Sequence, residues 1–191
     1  MIQRRVVALA TLAGAASERE ATQLLSLVPD LADASALQRG RLARWAHTIY
    51  PSGPGWWNPL EPDLVGEHLV ASTYGEHPDV LKGVLDRDRA DAIVQPLDLY
   101  TRAAPERPVL CAQLGTIVSE RLHPLCELAA TQAASENDLD LLLADTTLAA
   151  ALNRAVITIA PHAEVLPSAL GALPSAPIWS SAHSRSHSRC S

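Results

Sequence analysis

The chain has 191 residues, 48% hydrophobic and 19% charged, enough for one domain or two small ones around a real core. Its formal charge of −6 argues against general nucleic-acid binding, because a phosphate-binding surface needs a basic excess. No stretch approaches the roughly 18 uninterrupted apolar residues of a membrane helix, and Cys111, Cys126 and Cys190, an odd set with no close pair, fit a reducing cytoplasm better than a disulfide framework.

Nearly every segment reads as helix. The opening MIQRRVVALATLAGAASERE begins like a signal peptide, but its Ala-rich run flows straight into an acidic helix start and reads as a packed helix. Val6, Val7, Ala10 and Ala13 share one face of that helix. Ser17-Glu18-Arg19-Glu20 has capping-box form and starts a second helix, which presents Ala21, Leu24, Leu25 and Val28 before Pro29 ends it. Asp33 or Ser35 caps a third, running to Tyr50 with Leu42, Trp45 and Ile49 as its apolar positions. Pro51 stops it. A wing over Ser52 to Leu60 follows, with Trp56 and Trp57 in a short half-buried strand and Gly53 and Gly55 in its turn. Pro62 then starts a helix with Leu64, Val65 and Leu69 on one side. Three helices, a Gly/Pro turn, an aromatic pair and a further helix give a winged-helix outline over residues 2–72.

Residues 73–173 read as a series of short helices. Val80, Leu81, Val84 and Leu85 line one, and Ile93, Val94, Leu97 and Tyr100 the next, which Pro96 is expected to kink or break. Val109 to Val118 and Leu122 to Ala129 read as two helices with a short connection. Leu139 to Ile159 reads as one long helix or two joined ones. The succession resembles a helical-repeat array, although no self-similarity near the roughly 34-residue tetratricopeptide period supports it. Residues 174–191 contain no acid and are expected to be a disordered tail.

No constellation carries catalysis. Lys82, the single lysine, is followed by Gly83 and Val84 without the flanking glycines of a phosphate-binding loop. Glu67 and His68 are adjacent on a helix and point about 100° apart, which suits a surface histidine better than an acid/base pair. Cys111, His123 and Cys126 fit no familiar metal spacing and lack a fourth ligand, and His183, His187 and Cys190 lie in the tail, so no metal site is expected. Arg39, Arg41 and Arg44 lie on the third helix, where a winged helix places its recognition element. They form a candidate interaction face: DNA is one reading, and a solvated face or a docking face for a neighbouring acidic domain is favoured by the net acidity and the absence of basic residues in the wing.

Leu42 to Trp45, Tyr50-Pro51, Trp56 to Leu60 and Pro62 to Val70 form a block. It resembles the junction after the nucleotide-binding domain in bacterial, actinobacterial-type STAND (NB-ARC/NACHT-like) signalling NTPases. The motif residues are Trp45, Pro51, Trp57, Pro62, Asp63, Glu67 and His68. The resemblance covers Arg5 to about Ala71 and, more loosely, the chain to Ala160. It implies a nucleotide-driven switch in which a P-loop domain binds ATP or ADP, the winged helix locks the resting form and C-terminal repeats sense a partner. Related switches carry Met-His-Asp before the last winged-helix helix; here Pro62-Asp63-Leu64 stands at that place, so the resemblance carries over no nucleotide ligand. It further implies a P-loop domain upstream of Met1, so that this chain would be a piece of a larger protein.

The expectation is therefore a mainly α, cytoplasmic, non-enzymatic regulatory fragment. It has a winged-helix unit, a tetratricopeptide-like helical array, no cofactor of its own, and an upstream NTPase domain or another protein as partner. The alternatives are a winged-helix transcription regulator reading DNA and a stand-alone helical scaffold.

Overall fold

The computed structural model describes residues 1–49, 53–61, 63–135 and 147–161. Expectations at Tyr50, Pro51, Ser52 and Pro62, at residues 139–146 and in the tail lie outside them. The described residues form eight α-helices and no β-strand, and no helix is long and apolar enough to cross a membrane.

Helix α1 (Ile2–Ala13) is the centre of the molecule. Beyond the face formed by Val6, Ala10 and Ala13, it also buries Ala8, Leu9, Thr11 and Leu12, because α2 (Glu18–Leu24), α3 (Ala36–Ile49), α4 (Asp63–Tyr74) and α6 (Ala90–Ala103) pack around it. Gly14 ends it at φ 55°, donating its N–H to the Ala10 carbonyl at 3.0 Å. The next helix is capped as expected: Ser17 Oγ accepts from the Glu20 amide at 3.2 Å, and the Glu20 carboxylate accepts from the Ala16 amide at 2.7 Å. It is shorter than its apolar spacing predicts. Leu25–Leu27 and Pro29–Leu31 are 3-10 turns. Ser35 caps α3: its Oγ accepts from the Gln38 amide at 3.2 Å while Gln38 Oε1 accepts from the Ser35 amide at 3.0 Å.

The expected wing strand is corrected to a single antiparallel bridge between Ala15 and Trp57. The Trp56 and Trp57 amides both donate to the Ala15 carbonyl, at 2.7 and 2.9 Å, and Ala15 N–H returns to Trp57 at 3.3 Å. Asn58 folds the loop by bonding both backbone groups of Gly55.

The buried face of α4 also differs from the expected one. Gly66, Val70, Ala71 and Tyr74 face the core, while Leu64 is 78% and Val65 50% exposed. Gly66 explains the rotation: a Cβ there would lie 2.9 Å from Thr11 Cγ2 and 3.1 Å from the Leu60 carbonyl, so its bare backbone lets α4 approach α1.

In α5 (Pro78–Leu85) the expected Val80, Leu81, Val84 and Leu85 are buried. Helix α6 runs unbroken through Pro96. Proline leaves the carbonyl four residues back without its donor, and here Arg87 Nη1 donates to that carbonyl, of Ala92, at 3.1 Å. The two helices expected between Val109 and Ala129 are one, α7 (Pro108–Ser135), continuous across Pro124. Helix α8 (Leu148–Ile159), capped by Thr147, packs on α6 and α7 and is tied to α6 by an Arg154–Asp98 fork with contacts of 2.8–3.1 Å. One cluster of buried residues runs from Val6 to Ile159 and joins elements on both sides of residue 72.

Candidate functional site

Two polar surfaces stand out among the described residues. The first is a cleft of about 770 Å³ at the C-terminal end of α1, walled by the loop from Gly53 to Glu61 and by Arg87, Arg89, Asp91 and Gln95. The last carbonyls of a helix lack partners within it, and the cleft residues supply them: Gln95 Nε2 donates to Thr11 O at 2.6 Å and Arg87 Nη1 to Ala13 O at 2.7 Å. The other arm of Arg87 meets the Glu20 carboxylate, and its side chain is only 13% exposed. Burial pushes the Glu20 carboxyl up, but the Ala16 amide and the Arg87 guanidinium outweigh it and hold the group below the usual carboxylate range. The Asp91 carboxyl is lowered by its hydrogen bonds from Arg89 at 2.6 and 3.1 Å, and Asp91 in turn raises Arg89. Arg87, Arg89 and Asp91 of this cleft are thus paired with each other, with Glu20 and with α1.

The loop over the cleft is fixed to α3 by aromatic contacts. Trp57, 3% exposed, donates its indole N–H to Ala43 O at 3.1 Å. His47 stacks on Trp56, ring centroids 4.6 Å apart, and its Nδ1 donates to the Trp56 carbonyl at 2.7 Å.

The second surface is the outer side of α4. Glu67 Oε1 accepts from Arg102 Nε at 2.6 Å, and the Asp63 carboxylate lies 3.8 Å from the same guanidinium. His68 turns elsewhere, its Nδ1 accepting from Arg107 Nη2 at 3.1 Å. Glu67 and His68 therefore do not meet. One turn on, Ser72 Oγ accepts from Arg4 Nη2 at 2.7 Å.

The three arginines of α3 have separate fates. Arg39 Nη1 donates to the carbonyls of Leu31, Ala32 and Ala34 at 2.6–3.3 Å, closing the turn before its own helix. Arg44 is paired with Glu18. Arg41 alone of the three is exposed and makes no side-chain hydrogen bond or ion pair among the described residues. Trp45 is half-buried against the core. Cys111 and Cys126 stand fifteen positions apart on one continuous helix, about 22 Å, and so cannot share an ion with His123; among the described residues no group of three potential ligands is close enough to hold a metal. Burial raises the Cys111 thiol, which leaves it a packed thiol and not a nucleophile.

Sequence reasoning missed Arg4, Arg87, Gln95 and Arg107. Apart from the Ala92 carbonyl, five residues from Arg87, their partners lie 39 to 84 positions away along the chain, and no local pattern reports such pairings. Pro96 was the one available signal, since a proline in a helix leaves a carbonyl in need of a donor. Comparison with protein families, curated proteins and solved structures finds no match for this chain.

Proposed function

We propose that the chain is a non-enzymatic regulatory and protein-interaction module, a winged-helix unit followed by a tetratricopeptide-like helical array, belonging to a STAND-type nucleotide-dependent switch. Its partner is the NTPase domain of that switch, which holds ATP or ADP. The reading rests on the resemblance of the block from Leu42 to Val70. The observation that carries it furthest is the outer face of α4, inside that block, where Leu64 and Val65 stand 78% and 50% exposed. Two adjacent large apolar residues left in water on a helix whose opposite side is buried suit a surface made to be covered. The DNA-reading alternative is less well supported, because Arg39 is committed to backbone carbonyls and Arg44 to a carboxylate.

Two experiments test it. The DNA flanking the reading frame should encode a P-loop and an acidic Walker-type motif upstream; a promoter directly before Met1, with no such motif nearby, contradicts the reading. The upstream domain, produced separately, should bind the chain and lose that binding to the Leu64→Ser/Val65→Ser double variant. Tight, salt-dependent binding of the chain to duplex DNA would favour the alternative.

A further inference from the structure

In a chain with 21 acidic and 15 basic residues, arginines find carboxylates easily. Seven of the described arginines do so: Arg5, Arg44, Arg87, Arg89, Arg102, Arg121 and Arg154. Arg4 and Arg107 do not. Each reaches the outer side of α4 from a different flank, Arg4 from α1 and Arg107 from the turn between α6 and α7, and each hydrogen-bonds there to a neutral acceptor, Ser72 Oγ and His68 Nδ1. His68 and Ser72 are four residues apart and exposed, so their Cβ atoms are about 5–6 Å from each other on one face. Arg19 and Arg41 are exposed as well, but neither hydrogen-bonds to a side chain among the described residues.

We propose that Arg4, Arg107, His68 and Ser72 form an oxyanion site that takes a phosphate group. Two guanidiniums bonded to residues one helical turn apart match a doubly charged anion. The Ser72 hydroxyl gives its own proton to the His68 carbonyl at 2.7 Å and so serves as the acceptor that positions Arg4; three terminal oxygens allow each guanidinium its own acceptor and leave one for an N–H of the His68 ring. The neutral acceptors hold the guanidiniums in place without cancelling their charge, as a carboxylate would. The group can come from free inorganic phosphate or from a phosphate monoester, whose organic part would lie along Leu64 and Val65. The site needs no partner protein, so its failure leaves the interaction reading intact, and the converse holds.

The test follows the Nε–H resonances of Arg4 and Arg107 in the full chain, assigned with Arg4→Gln and Arg107→Gln, at fixed ionic strength. Inorganic phosphate and phenyl phosphate are titrated separately against a chloride control. Both resonances should shift saturably. Either substitution should weaken binding about tenfold, the loss of one charge-assisted contact. Glutamine keeps a donor for Ser72 or His68, so both variants should fold as the parent does. Tighter binding of phenyl phosphate identifies a monoester as the source; equal or tighter binding of inorganic phosphate identifies the free ion. Shifts no larger than those in chloride, or binding unchanged in both variants, overturn the proposal as an adventitious ion only.

Discussion

The end of α1 and the outer side of α4 both use arginine, and they use it differently. At the end of α1, Arg87 is 13% exposed and its arms are consumed by the Glu20 carboxylate and the carbonyls of Ala13 and Ala92. It closes orphan backbone groups of two helices at once. On α4, Arg4 and Arg107 touch only a hydroxyl and an imidazole, beside exposed Leu64 and Val65. The first arrangement has no capacity left for a ligand and suits a structural joint. The second leaves charge and apolar surface on offer. Burial and the identity of the acceptor, not the number of charges, separate the two.

Breaking the joint should cost stability in proportion to what is buried. Trp57→Ala removes the indole that holds the loop to Ala43, and a loss of about 3–5 kcal/mol in denaturant unfolding is expected; a loss below about 1 kcal/mol would mean that the loop does not bear on the core. Gly66→Ala comes next. The added Cβ meets Thr11 and the Leu60 carbonyl, an overpacking of about 1–3 kcal/mol that better helix propensity offsets by about 1. A net loss near 1 kcal/mol should appear, and a stabilised variant would show that α4 can move off α1.

Acid probes the same joint. Because the folded Glu20 carboxyl lies below its ordinary value of 4.5, its contribution is fully present above that value and is lost as pH falls through the folded one. Stability measured from pH 6 downward should therefore decline less steeply in Glu20→Gln than in the parent, and parallel curves would remove Glu20 from the account. On α4 the expected effect is smallest: Leu64→Ser should change stability by no more than about 0.5 kcal/mol, because the side chain is already in water. A larger loss would place Leu64 in the core.

Much of the helical fold was legible because its signals are local. Ser17 with Glu20, Ser35 with Gln38, and the buried stripe of α5 all act within one or two turns. The misreadings arose where distant residues decide. Pro96 does not break α6 because Arg87 serves the carbonyl it leaves open. The buried side of α4 is set by a glycine, which hydrophobic periodicity scores as nothing; of the apolar side expected at Leu64, Val65 and Leu69, only Leu69 packs against the core. The tryptophan pair announced an aromatic anchor, but not that Ala15 would be its backbone partner. At the candidate sites the sequence offered His68 and Glu67 and gave no hint of Arg4 or Arg107.

The contrast between the two regions is tested most directly by comparing Arg87→Gln with Arg107→Gln in chemical denaturation at neutral pH. Both remove one guanidinium and leave an amide. Arg87→Gln should lose about 2–3 kcal/mol, since it leaves a partly buried carboxylate with the Ala16 amide alone and opens two carbonyls, and Arg107→Gln should stay within about 0.5 kcal/mol of the parent. Equal losses in the two variants would contradict the division into a structural joint and an available surface.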